Sequence, residues 1–374
     1  MTMPPSPDLG AIPTDVADLD PELFERLVAT LNPGVGVTDL TVRRVWEWGQ
    51  GEQVSTSGRV DLTVQYDDPD CGLPDQVVLK IARPQLAAYP LYRNEVAAYT
   101  HLRPWEFLRA PECIGAWFDE PSGTFGLALE DLTTHGATFP SALTAVTVPQ
   151  LESSLRQLAA LHARHWGELA DWDAPALAWA QSHTAGELHD LFNHPDLVPA
   201  MIRQEVALNQ HKRELVQSAG ETTESLFRKV ALAQQHQARL PQTLVHGDCH
   251  IGNHFALPSG DLGLVDWQLS VRGHYMHDVS YAIVTGLDVE TRRAHERRLV
   301  GLHLEEMARH GASGLPSLDE AFEEYRRAQA WNTYIGWLTC PVENYGWRIN
   351  VANHIRLLTA YRDLDAGRAV EEVA

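Results

Sequence analysis

The sequence predicts an α+β fold of two lobes: a small N-terminal lobe built on an antiparallel sheet, then a larger and mainly helical lobe. Three observations lead there. In the first third of the chain apolar and polar residues alternate, as Val60, Leu62, Val64 and Tyr66 do in "GRVDLTVQY" (58–66), the period of a half-buried strand. From about residue 133 the apolar spacing becomes helical, as in "LESSLRQLAALHARHW" (151–166), where Leu151, Leu155, Leu158 and His162 share a face. The length, 374 residues, suits two or three units at about 150 residues per domain, or one two-lobed chain. The expected divisions are a loose arm rich in Pro and Asp over 1–19, a sheet lobe over 20–131 and a helical lobe over 132–374.

Taken in order, the first element is a helix with signals at both ends. Asp20 caps it, Pro21 suits its first turn, and Asn32-Pro33-Gly34 stops it. Strands are expected at 41–48, 58–66 and 76–82, and a helix at 92–102 ("YRNEVAAYTHL"). A hairpin follows over 113–132 around Pro121-Ser122-Gly123. The second lobe is expected to hold helices through 151–166 and 196–238, short strands in "TLVHGD" and "LGLVDW", and closing helices. Ser317 with Glu320 forms a capping box for one of those.

Composition narrows the function classes. The net charge of −21 argues against nucleic acid, whose affinity depends on Lys and Arg neutralising phosphates. It fits a cationic substrate or simply a solvated acidic surface. No apolar run approaches the roughly 18 residues of a membrane span. The segment MTMPPSPDLG lacks the basic and apolar regions of a signal peptide, so a cytoplasmic location is expected. The cysteines (Cys71, Cys113, Cys249, Cys340) form no C-x-x-C pair, which argues against a disulfide framework and a structural zinc site.

The chemistry concentrates in "TLVHGDCHIGNHF" (243–255). By itself this run fits a metal site on His246, Asp248 and His250, which share a face of an extended strand, and equally a working Asp248 held by histidines. Asp248 and Asn253 have the D-x-x-x-x-N spacing of a kinase catalytic loop, and Asp266 follows in "LVDWQ" after an apolar strand. Upstream, "VVLKIA" puts Lys80 in mid-strand and "YRNEVAAY" puts Glu95 on the next helix, with "LALEDL" between the halves.

With these motifs in order, the chain resembles the kinase-like phosphotransferases of small molecules, the aminoglycoside phosphotransferase and choline kinase families, whose signature is H-G-D-x-H-x-x-N. The resemblance runs roughly from 41 to 285. The "DWQ" ending, the "EDL" hinge and the "GLP…VVLK" approach to the lysine look most like the ecdysteroid-kinase-like branch. It implies a bilobal protein-kinase-like fold, with nucleotide bound by the first lobe and the catalytic loop and acceptor site in the second. It also implies an ATP- and Mg²⁺-dependent transfer of the γ-phosphate to the hydroxyl of a small molecule. Lys80 would then contact the α- and β-phosphates, held by Glu95, and backbone around Glu130, Asp131 and Leu132 would meet the adenine. Asp266 and Asn253 would hold Mg²⁺ as oxygen ligands. Asp248 would take or orient the proton of the attacking hydroxyl. His246, His250 and Asp278 would support the loop.

The segment "WNTYIGWLTCPVENYGW" (331–347) is dense in rings for a chain only 8% aromatic. Rings at helical spacing fill cores, but Gly336 and Pro341 would interrupt the helix and let rings face a cleft. Trp331, Tyr334 and Trp337 are therefore acceptor candidates, suited to an apolar alcohol or to a cation over ring faces. The loop 48–58 begins G-x-G but has Val54 where a third glycine would fall, and a plain turn explains it as well. Cys249 fits a small packed side chain better than an oxidation-sensitive switch. Other readings are a nucleotide-binding pseudokinase or regulatory protein, against which the intact five-residue set argues, and a metal-dependent hydrolase, for which no H-E-x-x-H pair supplies further ligands. A protein kinase would want an H-R-D arginine and an A-P-E segment, and neither is present.

Overall fold

The period-two segments become β1 (Val37–Trp46), β2 (Gly58–Tyr66), β3 (Gln76–Ile81), β4 (Cys113–Asp119) and β5 (Thr124–Glu130), one antiparallel sheet in the order β1-β2-β3-β5-β4. The structure is a computed structural model describing residues 8–46, 56–83, 88–102, 108–167, 170–338 and 342–374, less the side chains of 337, 338, 343 and 344. One sheet face carries Val60, Leu62 and Val64 of β2 with Val77, Leu79 and Ile81 of β3, and buries them against Phe24, Leu27 and Val28 of helix α1 (Pro21–Ala29). Asp20 caps α1 by accepting a hydrogen bond from Leu23 N–H at 2.8 Å. A Cβ on Gly115 of β4 would stand 2.6 Å from Leu27 O, so helix and strand approach to backbone contact there. On the opposite face lies α2 (Tyr89–His101), with Tyr92 stacked on Phe125 at 4.4 Å.

Four local expectations change. The described part of the arm is packed, not loose. Leu9 and Ile12 sit in the α1–sheet core, Ile12 N–H donates to Thr124 Oγ1 and Trp117 Nε1 donates to Gly10 O. Two apolar side chains in a polar segment suffice to hold it. β1 starts earlier than expected, at Val37, and α2 starts at Tyr89, because proline is tolerated in a first turn. Gly336 does not break its helix.

The second set of elements is α3 (Val148–Arg164), α4 (Glu187–Asn193), α5 (Leu197–Leu208), α6 (Gln210–Ser218), α7 (Thr223–Gln237), α8 (Met276–Gly286), α9 (Val289–Arg309), α10 (Leu318–Leu338), α11 (Val342–Asp363) and α12 (Ala366–Glu371). α10 is central, packing on α7, α8, α11 and α12, while α3 lies along α9. It starts at the expected capping box, Ser317 N–H to Glu320 Oε2 at 2.8 Å and Glu320 N–H to Ser317 Oγ at 3.3 Å. The helical run breaks at Gly346, where φ is 74° and glycine costs least. Two short ladders nest between the helices: β6 (Thr243–Val245) pairs with β9 (Val271–Gly273), and β7 (His254–Ala256) with β8 (Leu262–Leu264).

By its contacts the chain divides into two units. One is Met1–Trp105, Ala110–Ala137 and Asp266–Gln268, and the other is Glu106–Arg109, Thr138–Val265 and Leu269–Ala374. No helix among the described residues is long and apolar enough to cross a membrane.

The helical unit buries many histidines, which sets its response to pH. Burial lowers His254 to about 3 and His274 to about 4. The unfolded chain binds these protons below about 6.5 and the folded chain does not, so stability present above that pH is lost as pH falls toward the folded values. Between pH 6.5 and 5 these two residues alone should cost on the order of 3 kcal/mol. Urea unfolding at pH 7, 6 and 5 tests this, and an unchanged midpoint across the series would refute it.

Candidate functional site

In the first unit an ammonium group lies between two carboxylates. Lys80 is on β3, paired across the ladder with Leu127 of β5, and so points to the α2 side of the sheet. Its Nζ donates to both Glu95 oxygens, at 2.5 and 2.7 Å, and to Asp266 Oδ1 at 3.2 Å. Lys80 and Glu95 are buried, 5% and 1% exposed, so each needs the other. Burial pushes the Glu95 carboxyl up against the pull of Lys80, and Asp266 pushes it the same way. Asp266 has φ +67°, a left-handed conformation that aspartate tolerates better than most residues and that recurs at functional sites. The residues after it are tied down: Gln268 Oε1 accepts from Thr56 Oγ1 at 2.8 Å and Gln268 O from Asn94 Nδ2 at 3.0 Å. The expected phosphate loop, apart from 56–58, lies outside the described residues.

Strand β5 leads directly into Glu130, Asp131 and Leu132. Asp131 N–H donates to Gln76 O, and its carboxylate accepts from Thr133 N–H at 3.0 Å, Thr133 Oγ1 at 2.5 Å and Arg43 Nη2 at 2.8 Å. Glu130 Oε2 accepts from Glu112 N–H at 3.0 Å. Both carboxylates serve the strand end.

In the second unit the loop 246–253 joins β6 to β7, and one buried carboxylate holds it. Asp278, in the first turn of α8, accepts His246 N–H on Oδ2 at 2.6 Å and Gly247 N–H on Oδ1 at 2.9 Å. Gly247 has φ +84°, and a Cβ there would stand 1.8 Å from Leu269 O, so no other residue fits. His277 Nε2 donates to Gly247 O at 2.8 Å. His246 Nε2 donates to Val265 O at 3.0 Å while its Nδ1 accepts from Asp248 N–H at 3.3 Å. Both ring nitrogens of His246 are thereby used, which removes it as a metal ligand. Asn253 Nδ2 donates to Asp248 O and Oδ2, each at 2.9 Å, which orients the aspartate and leaves the Asn253 amide oxygen as its acceptor. His250 Nδ1 accepts from Gly252 N–H at 3.0 Å and its Nε2 lies 3.8 Å from Asp248 Oδ2. Among the described residues no three His, Cys, Asp or Glu side chains converge to hold a metal. The Cys249 thiol is buried, and burial together with Asp278 and Asp248 pushes it well up, so it stays a protonated packing group.

Behind Asp278 stand two histidines whose roles the sequence did not show. His162 Nε2 lies 3.1 Å from Asp278 Oδ2, His162 Nδ1 lies 3.1 Å from His303 Nε2, and His303 Nδ1 lies 3.2 Å from Leu155 O. A carboxylate and a carbonyl only accept, so both outer nitrogens carry protons and the inner pair shares a third. Burial alone would raise Asp278, but the His162 hydrogen bond and charge and the other histidines outweigh it and hold it at about 2. The one signal in the sequence was His162 in an otherwise apolar helical stripe.

A small cleft opens beside the loop, lined by Gly247, Leu188, Phe192, Trp331, His183 and His277 among others. Of the ring candidates, Trp331 is in its wall. Tyr334 is not: it is fully buried, and its hydroxyl donates to Phe192 O at 2.6 Å, bracing the residue that lines the cleft. Core packing claims Tyr334 because its ring lies between Trp331 and Phe227. The Trp337 side chain and Pro341 lie outside the described residues.

Gly247→Ala should lower stability by about 2 kcal/mol or more, from the left-handed conformation and the overlap with Leu269 O. Urea unfolding reads this directly, and a midpoint equal to wild type would mean that the loop is not held this closely.

Comparison with known proteins agrees with the motifs. The family model described as "APH: Phosphotransferase enzyme family" matches residues 52–312, well over half of the chain. It speaks for the broad family and not for the ecdysteroid-kinase-like branch. No curated protein matches the chain in sequence. Among solved structures, a choline kinase from Streptococcus pneumoniae is 12% identical over 91% of this chain and 98% of that one, with a TM-score of 0.47. A microcompartment-associated aminopropanol kinase is 12% identical over 92% and 95%, with a TM-score of 0.49. An aminoglycoside phosphotransferase from Streptomyces rimosus ATCC10970 is 18% identical over 73% and 90%, with a TM-score of 0.40.

Proposed function

The chain belongs to the phosphotransferase enzyme family, and from that premise we propose that it moves the γ-phosphoryl group of ATP to a hydroxyl of a small molecule, in the cytoplasm. The observation that carries this reading is the buried Lys80 ammonium bound to both Glu95 and Asp266. A buried lysine shared by two carboxylates is a costly structural device, and phosphate oxygens are the ligand that would use it.

Phosphoryl transfer passes through a loose transition state, so the protein's work is to position reactants and neutralise charge. Lys80 meets the α- and β-phosphates and Glu95 keeps its ammonium from turning away. Backbone at Glu130–Leu132 receives the adenine. Asp266 carboxylate and the Asn253 amide oxygen suit a hard cation, since both offer oxygen and the Asn253 nitrogen is already engaged. Mg²⁺ bound there would neutralise charge on the phosphate oxygens. Asp248, fixed by Asn253 and by the loop that Asp278 anchors, accepts or orients the proton of the attacking hydroxyl. The acceptor binds on the side of the loop where Gly247, the residue before Asp248, and Trp331 line a small cleft.

Two variants separate these roles. Asp248→Asn should lower turnover by about 10²–10⁴ while nucleotide affinity stays within a few-fold. Asp266→Asn should instead lose the Mg²⁺ dependence of nucleotide binding. Steady-state kinetics and nucleotide titrations with and without Mg²⁺ read both. Near-normal turnover in the first removes Asp248 from its role, and wild-type Mg²⁺ dependence in the second removes Asp266 from the metal.

A further inference from the structure

His254 closes the run that carries Asp248 and takes no part in the transfer chemistry. Its ring is fully buried, with Nδ1 3.0 Å from His250 O and Nε2 2.8 Å from Ser154 Oγ on α3. A carbonyl only accepts, so Nδ1 carries a proton and donates it to His250 O. Burial keeps the ring neutral, and Nε2 therefore accepts from the serine hydroxyl. The same carbonyl also accepts from Asn253 N–H at 2.9 Å.

The other end of that peptide is held from α8. Ile251 N–H donates to Thr285 Oγ1 at 3.1 Å, and the Thr285 hydroxyl proton is already committed to Tyr281 O at 2.7 Å. The hydroxyl therefore faces Ile251 as an acceptor. Arg356 of α11 donates to Thr285 O, one of the last carbonyls of α8, which the helix cannot answer from within. Thr285 stands seven residues after Asp278, two turns on along the same face. One helix face thus supports the loop twice, Asp278 at His246 and Gly247, and Thr285 at Ile251.

The His250–Ile251 peptide lies between Asp248 and Asn253, in a short turn whose shape depends on which way that plane faces. Tight turns have alternatives that differ mainly by the flip of one peptide. A flip here would break three hydrogen bonds at once, those of His254, Asn253 and Ile251. Ile251 is buried, so its N–H would find no water in exchange. Asn253 would move with the flip. Its own N–H is bound to His250 O, and its side-chain amide must reach Asp248 O and Oδ2.

Resting on the phosphotransfer reading, we propose that Thr285 and His254 are positioning residues. By holding the His250–Ile251 peptide at both ends they set where the Asn253 amide oxygen stands relative to Asp248, and they govern the Mg²⁺ dependence of nucleotide binding through Asn253 alone.

Hydrogen exchange by NMR on the full chain without ligand, and nucleotide titrations with and without Mg²⁺, test this with Thr285→Val, Thr285→Ser and His254→Phe. Thr285→Val keeps the shape and removes the acceptor. Exchange at the Ile251 amide should rise at least about tenfold relative to the His246 and Gly247 amides, which Asp278 still holds. The Asn253 side-chain amide should lose protection in the same variant. The Mg²⁺ concentration for half-maximal nucleotide binding should rise about tenfold, the scale for a partner that orients a metal ligand, while affinity without Mg²⁺ stays within about twofold. Thr285→Ser keeps the hydroxyl and should return all three to near wild type. His254→Phe should act in the same direction as Thr285→Val, and the double variant should lose less than the two losses added, because either change frees the same peptide. An Ile251 amide as protected in Thr285→Val as in wild type overturns the clamp, and so do fully additive losses. A freed Ile251 amide with unchanged Mg²⁺ dependence overturns the positioning role, as does Thr285→Ser behaving like Thr285→Val. Should His254→Phe not fold, the two Thr285 variants decide. If the wild-type protein binds nucleotide without regard to Mg²⁺ and passes no phosphate to any alcohol, the phosphotransfer reading fails, and the Ile251 and Asn253 amides still decide the clamp.

Discussion

The carboxylate of Asp278 is the fixed point of the helical unit of this molecule. It is fully buried, and it faces two consecutive backbone N–H groups and an imidazole. A carboxylate taken out of water is destabilising unless every lone pair is answered, and here two backbone amides and the His162 ring answer it. To answer that carboxylate, the loop must bring His246 and Gly247 N–H to the same place. The loop's conformation follows from an electrostatic requirement more than from its own propensity.

Other features follow in sequence. Gly247 must be glycine because Leu269 O occupies the space of a side chain. His246, its N–H fixed, turns its ring to bridge Asp248 N–H and Val265 O. Val265 is the residue before Asp266, so the same histidine braces the segment that carries the second aspartate. Asp266 leaves that segment with φ +67° and ends on Lys80. Thus the opening ambiguity of the His-Gly-Asp run resolves on ring nitrogens: those of His246 are spent on the backbone, and none remains for a metal.

The legible parts of the fold were those set by neighbours in sequence. Asp20 with Pro21, Ser317 with Glu320, and the alternation of Val60, Leu62 and Val64 each declare their structure within a few residues. Lys80 and Glu95 were legible as a pair because a strand, a turn and a helix bring residues 15 apart together. What escaped was long-range or conformational. Asp278 was expected to support the loop, but its partners His162 and His303 were not, since the three come from three helices joined only by tertiary packing. Trp331 and Tyr334 share one helical stripe, yet one faces a cleft and the other the core, a difference set by what packs opposite. The arm read as loose because its composition is polar, and composition does not register that Leu9 and Ile12 find a core.

The central claim is that Asp278 holds the 246–253 loop through the His246 and Gly247 amides, and hydrogen exchange at those two amides tests it most directly. Both sit in a loop, where amides ordinarily exchange through local opening at little free-energy cost. If the account holds, they exchange only through global unfolding, with the same free energy that urea gives for the whole helical unit. Exchange at the rate of an exposed loop, orders of magnitude faster, would contradict it.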